Sequence, residues 1–158
     1  SERPRELPGA EEPRQAASLP PGTALGRMAI PRVGLSVMIA GGADKRTLRR
    51  AVGHIPGTSL PGEPGNVGLA GHRDRYFRPL KDVRADDEIT LTTPEGTFHY
   101  RVDWTEVVEP AAVHVLDDTA EPALTLVTCY PFYYVGPAPR RFIVRARQVR
   151  YEAAEAGP

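Results

Sequence analysis

The chemistry open to this chain is concentrated in a single cysteine, four histidines and one pair of adjacent arginines. Cys129 closes the apolar run Leu124-Thr125-Leu126-Val127-Thr128, which reads as a strand that stops at the thiol. A nucleophilic cysteine needs a populated thiolate, a proton donor for the leaving group, and a group that stabilises negative charge on the attacked carbonyl oxygen. A lone free cysteine is also a common core residue, so the thiol alone does not make a site. Among the proton carriers, His54 reads as the end of a helix and His114 as part of a loop. His99 lies mid-strand on the face opposite Phe98 and Tyr100, which alternation assigns to solvent. His72 differs, because it ends the buried run Asn66-Val-Gly-Leu-Ala-Gly and is followed by Arg-Asp-Arg. A strand end holds a side chain rigidly while exposing it, so His72 is the candidate partner. Arg140 and Arg141 open the alternating strand Phe142-Ile-Val-Arg-Ala and therefore point to opposite faces. One of them shares the thiol's face, where a permanently charged fork of donors suits an oxyanion; the other is solvated or paired.

These residues need a scaffold. Lys plus Arg and Asp plus Glu each total 20, a balance that gives no support to nucleic-acid binding. With 158 residues and 41% hydrophobic content, the chain is long enough for one domain with a sizeable core. One cysteine excludes an internal disulfide and a multi-cysteine metal site. No apolar run reaches the roughly 18 residues of a membrane span.

Residues 1–22 are rich in proline and charge and read as a linker or tail, 23–150 as the folded domain that carries the candidate residues, and 151–158 as a flexible C-terminal tail. Within the domain, two apolar runs broken at Pro31 and Gly34 predict two strands and a tight turn. Asp44 as N-cap, with Leu48 and Val52 at i and i+4, predicts the main helix. "RYFRPLKDV" has room for one helical turn, and Pro94-Glu95-Gly96 sits between alternating runs as a hairpin turn. Many short strands with Gly/Pro turns make the fold mainly β, a closed or nearly closed barrel or a sandwich.

The motif "LTLVTC", a loop and "RFIV", with "GNVGLAGHRDRYFRPL" upstream, resembles the sortase family of cysteine transpeptidases. The resemblance runs in the family's order from Leu25 to Val149. "GHIPGTSLPGEPGNVGLAGHRDRYFRPL" and "CYPFYYVGPAPRRF" are most similar to class D sortases. It implies a single β-barrel of about eight strands with one or two short helices. By position it implies Cys129 as nucleophile, His72 as proton carrier and Arg141 as oxyanion partner, with Arg140 the runner-up. Thr128 matches the threonine that helps position the peptide substrate. No buried carboxylate is needed, and Asp74 and Asp82 read as surface charges.

The resemblance also implies cleavage of a Leu-Pro-x-Thr-Gly signal between Thr and Gly, through a thioacyl enzyme, with transfer to an amine. The implied partners are secreted proteins bearing that signal near the C-terminus, and an amine from a cell-wall precursor or a pilin. A monomer is expected, extracytoplasmic at the bacterial cell surface, with membrane attachment only through an N-terminal anchor upstream of Ser1. "VVEPAAVHVLDD" (107–118) occupies the place of the substrate-specificity loop, and its Val and Ala residues suit an aliphatic side chain. Some sortases bind calcium nearby. Glu106, Glu109, Asp117 and Asp118 offer oxygens there, yet their spacing fits no compact calcium loop, so no required metal is expected. "LPGA", "LPPG" and "LPGE" lack a correctly placed Thr-Gly, which argues against self-recognition by the tail. The rivals are a non-catalytic peptide-binding surface barrel and an L,D-transpeptidase. The latter surrounds its thiol with a Ser-His-Gly-Cys cluster, whereas Thr128 and Tyr130 flank Cys129.

Overall fold

Alternation around Pro31 produces the first hairpin, β1 (Ala24–Ile30) and β2 (Leu35–Gly41), joined by a 3-10 turn at Pro31–Val33. Proline at the first position of that turn fixes φ and removes a donor that would have no partner. The computed structural model describes Leu7 and residues 20–72, 76–130, 132 and 138–154. Asp44 caps α1 (Lys45–Leu48) as its sequence suggests, accepting from the backbone N–H of Thr47 at 3.4 Å and from the Thr47 hydroxyl at 2.7 Å. The helix is shorter than its apolar spacing predicts. Leu48 is buried from the helix, whereas Val52 belongs to β3 (Val52–His54), which runs parallel to β2. Both residues of the i, i+4 pair are buried, but by different elements. The spacing reports burial and not helix.

The remaining strands are β4 (Asn66–Ala70), β5 (Glu88–Thr93), β6 (Gly96–Val108), β7 (Ala123–Tyr130) and β8 (Arg140–Ala153). They close a barrel in the order β1-β2-β3-β4-β7-β8-β6-β5. The barrel expectation holds. The β5–β6 hairpin turns at Pro94-Glu95, and the helical turn foreseen before Asp86 is a 3-10 segment, Arg78–Asp82. β8 continues to Ala153, so the boundary expected at residue 150 falls inside a strand. Nor is the leading segment wholly free, because Leu7 is fully buried.

Two apolar clusters share the walls of the barrel. The interior is filled by residues such as Ile39, Val67, Leu69, Leu124, Leu126 and Val144. A second cluster lies on the outer face of β4, β7 and β8, built from Ala70, Val127 and Ile143 with Ile55 and Val115. Because β4 is covered on both faces, every residue from Asn66 to Ala70 is buried.

Two histidines depart from their sequence reading. His54 sits in β3, not at a helix end; its Nε2 meets the Ser59 carbonyl oxygen at 2.8 Å. Burial pushes its pKa down from the ordinary value, against the raising effect of its bonds to Ser59 and Thr58. His99 does lie on the face opposite Phe98, yet it is buried there instead of solvated. Glu88 meets its Nδ1 at 3.1 Å and Glu152 its Nε2 at 2.7 Å, so cross-strand carboxylates replace water.

Candidate active site

Three adjacent strands bring the candidate residues to one level. In the antiparallel β7–β8 pair, Cys129 lies directly opposite Arg141. In the parallel β4–β7 pair, Ala70 lies beside Val127, and two residues further along the chain come His72 and Cys129. Strands are spaced by about 4.8 Å, so the register sets Cys129 between His72 and Arg141 at one level of the sheet.

The exit of β4 is fastened to β7 just before His72. The Gly71 N–H donates to the Val127 carbonyl oxygen at 3.2 Å. The Thr128 hydroxyl donates to the Gly71 carbonyl oxygen at 2.8 Å. Behind His72, the Phe77 N–H donates to the His72 carbonyl oxygen at 3.0 Å, and the Phe77 ring packs onto Gly71. A Cβ at Gly71 would lie 2.8 Å from that ring, so the close approach needs glycine. The Thr128 side chain is buried on the face away from Cys129, and its hydroxyl ties the His72 turn.

Alternation separates the two arginines. Arg141, half-buried, shares the thiol's face, and its Nη1 donates to the carbonyl oxygens of Ala138 at 3.2 Å and Arg140 at 3.0 Å. Arg140 is exposed, faces the other way opposite Tyr130, and pairs with Glu109 at 3.5 Å. Cys129 is a half-buried free thiol. Next to it, Tyr130, Phe132 and Phe142 form an aromatic cluster, with the Phe132 and Phe142 centroids 5.3 Å apart. Asp82 is a surface charge as expected, paired with Lys81 at 2.7 Å. Asp74 and most of the loop between Cys129 and Arg140 lie outside the described residues.

One step of two residues back along each strand, the same outer face turns apolar: Ala70, Val127 and Ile143. The segment 107–118 folds over this patch, with a 3-10 turn at Val113–Leu116, and Val108, Ala112, Val113 and Leu116 pack against it. Gly68 makes that approach possible, since a Cβ there would lie 2.9 Å from Thr58 and 3.2 Å from Leu116. A further step back is polar. Asn66 Nδ2 donates to the carbonyl oxygens of Val115 and Asp117, both at 3.0 Å, and its Oδ1 accepts from the Thr125 hydroxyl at 2.7 Å. Arg145 Nη2 donates to the Val115 carbonyl oxygen at 2.7 Å and Nε to Thr125 Oγ1 at 2.9 Å. The guanidinium lies 5.2 Å from the Trp104 ring centroid, a cation–π contact.

Sequence reading missed this clamp. Its signal was Asn66 and Thr125 standing inside otherwise apolar strands, where buried polar groups need partners. Among the described residues, no group of three or more His, Cys, Asp or Glu is placed to hold a metal. No helix among them is long and apolar enough to cross a membrane.

The register sets a cysteine between a histidine and an arginine beside a covered apolar patch, a set of residue types suited to acyl transfer on a peptide. Comparison with known proteins points the same way. Residues 28–149 match the family model described as the sortase domain. Sortase D of Bacillus subtilis is 33% identical over 156 residues, covering 94% of this chain and 79% of that protein. A Clostridium perfringens sortase D5 transpeptidase structure is similar at a TM-score of 0.76 and 30% identity, covering 84% of this chain and 83% of its own. Sortase C-3 from Streptococcus pneumoniae, at 23% identity, shares the fold with a TM-score of 0.83 over 96% of this chain and 76% of its own.

Proposed function

The chain belongs to the sortase family of cysteine transpeptidases, and from that premise we propose that Cys129, His72 and Arg141 carry its reaction. Family membership favours the transpeptidase over a binding-only barrel or an L,D-transpeptidase. The observation that carries the residue assignment is the register across β4, β7 and β8, which sets one residue from each strand or its exit at the same level.

The substrate is a protein with a Leu-Pro-x-Thr-Gly-type signal. The Cys129 thiolate attacks the threonine carbonyl carbon, forming the C–S bond while the carbonyl oxygen takes the electron pair. Arg141 donates to that oxyanion. Collapse breaks the C–N bond, and the glycine amine leaves with the proton from the His72 imidazolium. An incoming amine then gives its proton to His72, attacks the thioester and forms the new amide, releasing the thiolate. Water in place of the amine gives hydrolysis.

Thr128 acts by holding the His72 turn. Acceptors are amines of a cell-wall precursor or a pilin, the enzyme works as a monomer without required calcium, and an anchor N-terminal to this sequence keeps it at the membrane.

The test is turnover of a Leu-Pro-x-Thr-Gly peptide library with several amines. The expected result is an acyl adduct on Cys129 detected by mass spectrometry, and no product from Cys129→Ala. Reaction of the thiol with an alkylating agent only after denaturation would overturn the assignment. Equal turnover with and without a calcium chelator is expected as well.

A further inference from the structure

The level that holds Cys129 continues past His72 onto β3. In the antiparallel β3–β4 pair Gly53 lies opposite Ala70, so the register carried two steps further sets Ala51 level with His72. Arg49 and Arg50, both exposed, immediately precede Ala51 where α1 ends. They therefore stand across His72 from Cys129. The chain that follows His72 returns to them. The Tyr76 hydroxyl donates to the Arg49 carbonyl oxygen at 3.5 Å, and the Phe77 N–H donates to the His72 carbonyl oxygen at 3.0 Å. Arg78 comes next, also exposed.

Charge is divided between the two ends of the barrel, although the formal total is zero. Residues 49–50 and 76–82, beside His72, hold four cations and one acid, Asp82, which pairs with Lys81 at 2.7 Å. At the opposite end, the connections 55–65, 94–95 and 117–122 hold five acids and no cation. The nucleophile that resolves the thioester is an amine, which arrives in water as an ammonium ion and is repelled by a cationic surface. An amine that carries its own anion meets the reverse. Arginine forks bind the carboxylate or phosphate, and the amine is held within reach of His72.

We propose that Arg49, Arg50 and Arg78 form an acceptor subsite that selects an amine borne on an anionic molecule. This rests on the reaction proposed above and names its second substrate by class. The arginines take no part in the transfer; they lower the acceptor KM.

The experiment measures acceptor KM at a fixed Leu-Pro-x-Thr-Gly peptide for two matched pairs of amines. Gly-Gly-Glu is set against Gly-Gly-amide, and O-phosphoethanolamine against ethanolamine. The anion-bearing amine has a KM about fivefold lower at low salt, and the ratio falls toward one at about 0.5 M salt. The pair with the larger ratio tells a carboxylate from a phosphate. Replacing Arg50→Gln together with Arg78→Gln brings the ratio below about twofold, whereas Lys45→Gln, at the start of α1, keeps it. Because the ratio is internal to each variant, a loss of folded protein does not imitate the effect. Equal KM within both pairs at low salt, or a ratio unmoved in the double variant, overturns the inference. Sedimentation with phosphatidylglycerol vesicles would in that case assign the arginines to a membrane surface. If no signal peptide is turned over, yet Gly-Gly-Glu and not Gly-Gly-amide shifts the Nε–H NMR signals of Arg50 and Arg78, the reaction reading fails and the anion site stands.

Discussion

The two faces of β7 have the same backbone and opposite duties. Inward, Leu124, Leu126 and Thr128 meet the barrel core or its edge, and the first two are interchangeable in kind with the other aliphatic residues there. Outward, Thr125, Val127 and Cys129 meet in turn a polar clamp, an apolar patch and the candidate site, matched across β8 by Arg145, Ile143 and Arg141. A close-packed interior needs volume and shape. The outer face needs a sequence of different chemistries at fixed intervals, and the strand repeat supplies the interval.

The sharpest way to break this division is to change which face carries a cation. Arg141→Ala removes a donor from the thiol's face, and removal of one oxyanion donor costs about a hundredfold or more in kcat. Arg140→Ala removes only a surface pair with Glu109 at 3.5 Å, with both partners more than half exposed. That change leaves kcat within about threefold, because exposed pairs contribute little. Steady-state kinetics of both variants decide it; equal losses would mean that alternation along β8 does not select the arginine.

Core truncation comes next. Leu126→Ala on the inner face leaves a cavity and costs about 3 kcal/mol in denaturant unfolding, with kcat/KM of the folded fraction unchanged. Val127→Ala on the outer face removes less volume, costs about 2 kcal/mol, and raises KM because the patch loses wall area. A KM effect from Leu126→Ala as large as that from Val127→Ala would erase the distinction between the faces.

How much of this was legible beforehand follows the range of the interactions. The β5–β6 hairpin and the Asp44 cap are local, written within a few residues, and both appear where the sequence puts them. The cysteine, histidine and arginine that the sequence singles out by type and position at strand ends are set at one level by the register. What could not be read is what depends on pairing across distance. Thr128 bonds the carbonyl oxygen of Gly71, 57 residues away, and nothing local marks that partner. Val52 looked helical because a strand buried on both faces loses its alternation. Leu7 was concealed by composition, since one buried leucine inside a polar segment does not alter the average.

The clamp gives a smaller effect that tests the third level of the outer face. Asn66→Ala leaves the carbonyl oxygens of Val115 and Asp117 without their amide donor and takes from the Thr125 hydroxyl its nearer acceptor, leaving the Val115 carbonyl oxygen at 3.5 Å. The expected cost is about 1–2 kcal/mol of stability, with KM raised a few-fold and kcat held. A fall in kcat with KM constant would show that the clamp acts on the reacting groups and not on the loop over the apolar patch.

The least effect comes from a titratable group on the inner side. His54 stands on the same face of β3 as Val52, and burial depresses its pKa below the ordinary 6.5. As pH falls below about 6.5, the unfolded chain therefore takes up a proton before the folded one does. This contribution to stability is complete above that pH and is lost as pH drops toward the folded value, by at most ~1.4 kcal/mol per pH unit. The depressed carboxylates, Asp87 beside Arg32 and Glu152 beside His99, follow the same sign but lose their contribution only below the ordinary carboxylate range. Urea unfolding between pH 7 and 5, compared between the parent and a His54 variant, reads this contribution. A His54→Gln chain, whose amide still donates to the Ser59 carbonyl oxygen, should show a flatter slope than the parent. Identical slopes would mean that the inner face tolerates charge as the outer face does, and the contrast between the two would be one of shape alone.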